Sequence, residues 1–443
     1  MLQLSLLSGN GICNEQQPLR GFGVTRMRFN RLISLLLAVL TVAPASAAFA
    51  EGLGEDTLPL MAWDYANDER TLRLMAECGI NLVAFVPPES LDTCERLKMK
   101  AIVFHGDVTP RWDRPFKSDA AEKVLPDLIR KVNNHPAVFG YHLKDEPDGG
   151  QFAELSKSVA LVRKLAPGKW PYINLPPGMG PGYDDYLKTF VKTCDPTVLS
   201  YDNYPLGQDG SFSYGYWANI AQMRNASLQH KLPFYTIMLT VAHLTYGEPT
   251  PTTLRLQAYG ALAYGARGLC YYKFISRELP ILESPDLGDW RGAPLDQFHE
   301  KTVAWDWLRN LNHQIQNIAP QLLKLRSDLV YHVGEVPEQN HGIRPDSLVK
   351  SLTAGDAFVI GDFTHTEDGS RWVMIVNKNL KNSTTCGPNF SVPVERVEYV
   401  SPVTGELKPF PAPWYCLAPG QGVLLKLVQK SAPTTASGAA SDK

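Results

Sequence analysis

Short apolar runs alternate with amphipathic stretches along residues 58–318, and each run ends in polar or aromatic residues. This alternation predicts repeated strand–helix units around a parallel sheet. Seven strands are predicted over residues 58–64, 80–86, 101–105, 172–175, 198–201, 234–242 and 269–274, and another, fourth in order, begins at Ala137. Helices are predicted over residues 120–133, 152–165, 252–264 and 296–318. Eight units over residues 51–325 match a (β/α)8 TIM barrel in size and count.

A doubly wound open sheet is the alternative α/β architecture. It carries a glycine-rich phosphate loop after its first strand, and no such loop follows residue 64. We therefore expect a closed barrel, in which the carboxyl ends of all eight strands open on one face.

Residues 326–430 have a different pattern. Strands are predicted over residues 357–363, 371–377, 394–400 and 422–428, with the turn sequence Glu-Asp-Gly-Ser at residues 367–370 between two of them. About 100 residues of this kind are typical of an antiparallel β-sandwich. The tail, residues 431–443, is rich in Ser, Ala and Thr and is predicted to be disordered.

Residues 1–50 contain a targeting pattern. Basic residues at 27–31 precede an apolar run at 32–42 and two small-residue cleavage motifs at 45–47 and 48–50. This order predicts a signal peptide beginning near Met27 and export to the periplasm or the outside, without stable membrane insertion after cleavage. An uncleaved anchor is the alternative, although the apolar run is short for a membrane span.

Charge and cysteine content exclude some classes of function. The 43 Lys and Arg residues nearly balance the 45 Asp and Glu residues, and no basic block marks a nucleic-acid surface. No C-x-x-C or His-x-His pattern indicates a metal site, and no cofactor is implied. Export permits disulfides, and Cys386 with Cys416 is the first candidate pair, whereas Cys270 is predicted to be a buried free thiol.

The fourth strand ends in the most informative stretch, A-V-F-G-Y-H-L-K-D-E-P at residues 137–147. Strand alternation would place Tyr141, Leu143 and Asp145 on one face and His142, Lys144 and Glu146 on the other. Cleavage of a glycosidic bond needs an acid of raised pKa and a second group that stabilises or attacks the developing cation. Glu146 is the predicted acid, because the neighbouring Asp145 disfavours its ionisation. Two solvated loop carboxylates are the alternative interpretation.

Other strand ends offer substrate-binding side chains. These candidates share a position at the predicted barrel mouth: Asp64, His105, Asp107, Asn174, Tyr204, His243, Tyr272 and Lys273. The Asp202–Asn203 pair also fits a turn, and both histidines also fit hydrogen-bonded core positions.

G-Y-H-L-K-D-E-P after the fourth strand, S-Y-D-N-Y-P after the sixth and the tyrosine-rich run at 256–272 together resemble glycoside hydrolases of the clan A type. The resemblance covers residues 50–430 and is nearest to the β-galactosidase-like and uncharacterised secreted members. It implies a carbohydrate substrate, a trailing β-sandwich and Glu146 as the acid/base. The clan usually has Asn before its acid, where this chain has Asp145. It usually has a nucleophilic Glu ending the seventh strand, where this chain has none.

Asp202 and Glu248 are therefore alternative second carboxylates. An adjacent Asp–Glu pair also resembles barrel hexosaminidases, in which the 2-acetamido group of the substrate is the nucleophile. That resemblance implies that Asp145 orients the acetamide, Glu146 protonates the leaving group, and Tyr204 or Tyr272 holds the amide. A barrel that binds carbohydrate without turnover is the third hypothesis.

Overall fold

The computed structural model describes residues 53–277 and 290–429. The predicted signal peptide, Cys13 and the C-terminal tail lie outside this range. Eight parallel strands form a closed barrel in chain order, with β8 paired to β1. They are β1 Leu60–Tyr65, β2 Leu82–Val86, β3 Lys100–Val103, β4 Val138–Asp145, β5 Trp170–Leu175, β6 Leu199–Asp202, β7 Phe234–Leu239 and β8 Gly268–Tyr272. The predicted barrel is confirmed.

Helices surround the barrel, and α1, α7 and α8 begin at residues whose side chains cap them. They are α1 Glu69–Glu77, α2 Leu91–Arg96, α3 Ser118–Val132, α4 Phe152–Leu165, α5 Pro181–Cys194, α6 Tyr214–His230, α7 Pro251–Ala263 and α8 Val303–Leu322. Asp68 caps α1 by accepting from Thr71 N at 2.8 Å. None of the helices in residues 53–277 and 290–429 has the length and apolar character needed to span a bilayer.

The last barrel helix starts later than predicted. Residues 296–302 form turns, because Asp296 Oδ1 accepts from Phe298 N and Glu300 N, each at 2.9 Å. Thr302 then caps α8 by accepting from Ala304 N. The expected start at residue 296 was therefore wrong, since the Asp296 side chain competes for the backbone donors that a helix needs.

Within residues 290–429, ten further strands follow the barrel. They are β9 Leu325–Val333, β10 Val349–Leu352, β11 Phe358–His365, β12 Arg371–Asn377, β13 Thr384–Thr385, β14 Pro388–Phe390, β15 Arg396–Val400, β16 Leu407–Pro409, β17 Cys416–Leu417 and β18 Gly422–Val428. Six form an antiparallel sheet in the order β16-β15-β18-β12-β11-β9, and the pairs β10–β14 and β13–β17 are separate. This sheet is consistent with the predicted β-sandwich.

One face of the six-stranded sheet packs on α7. Val359, Met374 and Leu424 share a continuous apolar core with the barrel helices. Gly361 lies in this face, and a Cβ there would come within 2.1 Å of the Ala263 carbonyl oxygen. The alternate residues of the same strands, such as Ile360 and Val373, form a second core on the far face. Sheet and barrel are thus closely packed.

Arg267 stabilises the junction between the barrel and the sheet through buried hydrogen bonds to backbone carbonyls. It donates from Nη1 to the carbonyls of Leu322 and Leu323, each at 3.0 Å, and from Nη2 to that of Leu325. Burial lowers the pKa of Arg267 to about 10. The guanidinium satisfies carbonyls at the end of α8, which a helix leaves without partners, and so fixes the turn into β9.

The six described cysteines are free thiols. Cys270 is buried in the barrel interior, as predicted. The proposed Cys386–Cys416 disulfide is not formed. Cys416 pairs across β13–β17 with Thr385, while Cys386 points into the second sheet core and Cys416 is exposed. Neighbouring strand residues point to opposite faces, so the two thiols do not meet.

Candidate active site

Four polar side chains meet where β4, β5 and β6 end. Asp145 closes β4 and Glu146 follows it, Asn174 lies near the end of β5, and Asp202 closes β6. Asn174 and Asp202 are almost completely buried, and the two β4 carboxylates are partly buried. Parallel strands of a closed barrel bring their carboxyl ends to one mouth, which is why residues so distant in sequence become neighbours.

A bulge in β4 decides which of its side chains enter the mouth. Against β5, His142 pairs with Tyr172 but Lys144 pairs with Ile173 and Asp145 with Asn174. The extra residue shifts the alternation, so that Asp145 lies on the same face as His142. The expectation that Asp145 and His142 face opposite sides was wrong for this reason.

Asn174 bridges two carboxylates. Its Nδ2 donates to Asp145 Oδ1 at 3.1 Å and to Asp202 Oδ1 at 2.8 Å. Its Oδ1 accepts from Ser200 Oγ at 3.0 Å, and Ser200 Oγ is 2.6 Å from the Tyr172 hydroxyl. The serine bond fixes the amide orientation, so that both amide hydrogens point at the carboxylates. Asn174 thus binds the two acids and not solvent.

Glu146 and Asp202 form a hydrogen-bonded carboxyl pair. Burial raises the pKa of both, and the charge of Glu146 raises that of Asp202 further. A hydrogen bond between two carboxyl groups requires a proton on one of them, and the pair titrates as a unit. Asp202 is the more buried partner, at 6% exposure, and Glu146 is the partner that reaches the open mouth.

Asp145 is a third perturbed acid. Burial, and then the charge of Glu146, raise its pKa to about 7, against the opposing effects of Asn174 and Lys144. Lys144 is fully buried, and its Nζ donates to the Trp112 carbonyl at 2.6 Å. Burial lowers the pKa of Lys144. The mouth therefore contains three carboxyl groups whose pKa values are all raised, and Lys144 lies beside them.

An aromatic wall, Tyr204, His243, Tyr246, Tyr272 and Trp290, lies on the β6–β8 side of these acids. Tyr204 stacks on Tyr272 with ring centroids 5.3 Å apart, and His243 stacks on Trp290 at 5.0 Å. In the part of the chain that the structure describes, the hydroxyls of Tyr204, Tyr246 and Tyr272 have no hydrogen-bond partner. The nearby acids raise the pKa of Tyr204, after the larger effect of burial.

His243 is a neutral acceptor in this wall. Its Nδ1 donates to the Val241 carbonyl at 3.3 Å, so the lone pair is on Nε2. Burial lowers its pKa to about 4. Aromatic rings whose polar groups have no partner, lying beside acids, are suited to bind polar ligands that also have apolar faces.

Asp64 and Lys273, both predicted to bind substrate, bind each other. Lys273 Nζ is 2.5 Å from Asp64 Oδ1, and Asp64 Oδ2 accepts from Phe274 N and Ile275 N at 2.9 and 2.8 Å. Both side chains are largely buried, and their contacts hold the end of β8 against the end of β1. Its geometry is that of a structural clamp at the edge of the mouth.

Three other candidates lie apart from the carboxylate cluster. His105 and Asp107 are on the loop after β3, where Asp107 N donates to His105 Nδ1 at 3.3 Å and the Asp107 side chain is exposed. Glu248 is exposed and forms an ion pair with Arg291, Oε2 to Nε, at 3.9 Å. None of the three is hydrogen-bonded to Asp145, Glu146 or Asp202.

Sequence reasoning missed several residues of the site. Tyr172 and Ser200 were missed because they lie inside strands and not at their ends. Tyr246 was missed because it lies on the loop beyond β7. Asp202 and Tyr204, after the sixth strand, were the sequence signal for the β6 side of the mouth.

Asp92, Glu95 and His135 form the one group of potential metal ligands among the described residues. His135 Nε2 is 2.9 Å from Asp92 Oδ1, and its Nδ1 accepts from Ala137 N. Nε2 therefore carries the hydrogen and is a donor to the carboxylate. The group is a hydrogen-bonded surface cluster outside the mouth.

The sequence matches no protein-family profile and no curated protein. The fold does have solved relatives. A glycoside hydrolase of family 5 from Bacteroides vulgatus is 12% identical, with a TM-score of 0.55 over 84% of this chain and 89% of that one. A second glycoside hydrolase is 10% identical, with a TM-score of 0.53 over 85% and 93%. This chain shares its fold with these two glycoside hydrolases.

A β-galactosidase from Marinomonas ef1 is also similar, with 12% identity and a TM-score of 0.48 over 61% of this chain. The chain spans 62% of the length of that enzyme. At 10–12% identity these comparisons establish the architecture alone, a (β/α)8 barrel, and the chemistry must be argued from the site itself.

Proposed function

We propose that this protein is a glycoside hydrolase with Glu146 as the proton donor. The observation that carries the proposal is the cluster of Asp145, Glu146 and Asp202 around Asn174 at the mouth of a barrel with this fold, where burial raises the pKa of Glu146. Acid catalysis needs a carboxyl group that is still protonated near neutral pH, and burial within a like-charged cluster provides one. Glu146, at the open side of the pair, delivers that proton to the leaving oxygen.

The exported location predicted from residues 27–50 is part of the same proposal. A polymer outside the cell is the natural substrate for such an enzyme.

A second candidate, substrate-assisted cleavage of 2-acetamido sugars, has its own support. Hydrogen-bonded carboxyl groups have oxygens about 2.6 Å apart. Two acids on opposite sides of a glycosidic bond are about 5 Å apart or more. Glu146 and Asp202 are therefore too close to act as donor and nucleophile. Glu248 is exposed and paired to Arg291. A nucleophile supplied by the substrate, oriented by Asp145, removes the need for a second carboxylate.

Aryl glycosides with either a 2-acetamido or a 2-hydroxyl group test both candidates. We expect Glu146→Gln to lower kcat/KM by at least about a hundredfold for poor leaving groups and much less for dinitrophenyl glycosides, which need little protonation. Glu154→Gln, on the outer helix α4, is the control. Equal losses for good and poor leaving groups, or no loss, would remove Glu146 as the donor.

The sugar that is cleaved separates the two mechanisms. If only 2-acetamido glycosides are hydrolysed and Asp145→Asn abolishes that activity, the substrate supplies the nucleophile. Hydrolysis of 2-hydroxyl glycosides that is lost in Glu248→Gln would instead assign the nucleophile to Glu248.

A further inference from the structure

The β1–β3 side of the mouth carries aromatic rings that have no part in the chemistry above. Tyr65 ends β1, Phe85 lies near the end of β2, and Phe104 directly follows β3. Phe104 contacts Tyr65 edge to face at 6.0 Å and Phe85 at 5.6 Å between ring centroids. Tyr65 nevertheless remains 47% exposed. The Tyr65 ring is supported by Phe104 and exposed to solvent, so it is preorganised for stacking.

These rings are continuous with the acid cluster. Phe85 packs on His142 with centroids 4.6 Å apart, and His142 packs on Tyr172 at 5.6 Å. Tyr172 in turn contacts Ser200, which orients Asn174. The exposed ring of Tyr65 therefore belongs to the same mouth as Asp145 and Asp202.

The loop after β3, which contains Thr109 and Trp112, is hydrogen-bonded to β4. Thr109 Oγ1 donates to the His142 carbonyl at 2.6 Å, and the buried Lys144 donates to the Trp112 carbonyl at 2.6 Å. The Trp112 side chain itself is 63% exposed. Burying an ammonium with a carbonyl as its hydrogen-bond acceptor is costly, and here it fixes this loop against the strand that carries Glu146.

In an eight-stranded ring β1 lies opposite β5, and it pairs directly with β8. Tyr65 therefore lies across the mouth from Asn174 and the acids that Asn174 binds, with Tyr272 of the aromatic wall on the neighbouring strand. We propose that Tyr65, supported by Phe104, is a second sugar-binding subsite, so that the substrate is an oligo- or polysaccharide with one pyranose ring at Tyr65 and another at the acids. The cleavage itself rests on the proposed function; the binding of a second ring does not.

Tyr65→Ala is the test, with Tyr214→Ala as a control of matched residue type and exposure, since Tyr214 is 48% exposed and its hydroxyl donates to Glu335. Binding is measured first, by retardation of the proteins in native gels that contain galactomannan, xyloglucan or glycol chitin. The Glu146→Gln background prevents hydrolysis of the polymer. We expect Tyr65→Ala to weaken retardation about tenfold and Tyr214→Ala to leave it unchanged. Equal retardation of Tyr65→Ala and the unmodified chain would overturn the proposal, as would retardation of neither.

Turnover gives the second measurement. Aryl monoglycosides need one sugar subsite, and polymer needs both. Tyr65→Ala should lower kcat/KM about tenfold on the polymer and leave the aryl monoglycosides unaffected. Equal losses on the two substrates would make Tyr65 a structural residue and overturn the subsite. Polymer binding that depends on Tyr65 but is accompanied by no hydrolysis would refute the proposed function and leave the subsite in place.

Discussion

Two buried acidic side chains with raised pKa values lie at the centre of this site. Glu146 and Asp202 come from strands two positions apart, and Asn174, on the strand between them, donates to Asp202 at 2.8 Å. Without these contacts, a carboxyl group as buried as Asp202 would be strongly destabilising in its charged form. Asp202 therefore keeps its proton to a higher pH than an exposed carboxyl group does, and its burial costs the protein stability as the pH rises.

Asp202→Asn should stabilise the protein at neutral and alkaline pH. Burial raises the pKa of Asp202 well above its usual value, so the folded chain retains a proton that the unfolded chain releases above about pH 4. The stability of the unmodified protein therefore falls as the pH rises from 4 towards 8. Asn does not titrate, so the variant escapes this loss. We expect its melting temperature to exceed that of the unmodified protein by roughly 3–6 °C at pH 8, with little difference at pH 4.

Calorimetry between pH 4 and pH 8 measures this effect. Asp185→Asn, on the exposed side of α5, is the matched control and should show no pH-dependent difference. A constant offset between Asp202→Asn and the unmodified protein at every pH would show that the proton is not held where the hydrogen bonds indicate.

For single residues, the sequence predicted which acids lie at the barrel mouth better than it predicted which side chains they contact. Asp145, Glu146, Asn174 and Asp202 all follow or end apolar strands, and the strand-end rule alone brought them together. The Asp64–Lys273 pair obeyed the same rule, but the two residues bind each other. Whether two opposite charges at a mouth face the substrate or one another depends on side-chain geometry, which the sequence does not contain.

Among the elements, β4 differs most from its sequence pattern. The run V-F-G-Y-H-L-K-D alternates regularly enough to predict one face for Asp145 and the other for His142. The bulge against β5 places both on one face. Lys144, which follows the unpaired Leu143 of the bulge, is buried and donates to the Trp112 carbonyl in the loop after β3. Bulges are frequent at such positions because they re-aim side chains next to a site.

Lys144→Met should loosen this loop without unfolding the barrel. Loss of a hydrogen bond from a charged group costs about 1.5–3 kcal/mol locally, so the loop should open at least about tenfold more often. Trypsin should then cleave after Arg111, in the same loop, at least about tenfold faster. Mass spectrometry of short digests under native conditions would measure this rate.

Lys169→Met is the matched control, because Lys169 Nζ donates to the Val138 carbonyl at the other end of β4, at 2.6 Å. It should leave cleavage after Arg111 unchanged. If Lys144→Met also leaves it unchanged, the Trp112 contact does not hold the loop.

Sequence patterns predicted β11, β12, β15 and β18 closely and missed β9. In L-R-S-D-L-V-Y-H-V the polar residues Arg326, Ser327 and Asp328 interrupt any strict alternation. The structure shows what these polar residues contact where the barrel meets the sheet. Ser327 Oγ accepts from Arg224 Nε at 2.9 Å, and Arg326 forms an ion pair with Asp328. Contacts between distant segments therefore set this strand, and a local pattern does not reveal them.

For the whole molecule, the important feature is the apolar core that barrel and sheet share through α7. That helix is buried on nearly all sides, because the barrel covers one side of it and the sheet covers the other. Gly361 permits the approach, since a Cβ would meet the Ala263 carbonyl. We therefore expect the two parts to unfold together.

Gly361→Ala should destabilise the chain by about 2 kcal/mol, because backbone on both sides must move to admit a methyl group. Calorimetry should show one transition, moved to lower temperature. Gly182→Ala, in α5, is the control, since no atom lies within 4 Å of its Cβ position and alanine favours the helix. A separate early transition, with the main one unmoved, would mean that sheet and barrel are independent units.

The fit between Gly361 and Ala263 also limits how this chain can be recombined with others. A chimaera joined at residue 325 would set a foreign sheet against α7, and any side chain at the position of Gly361 would collide with that helix. Exchange of the sheet alone is therefore unfavourable, although its sequence begins after the last barrel helix. A workable swap would carry residues 251–263 along with the sheet, so the smallest exchangeable piece of this protein includes part of its barrel.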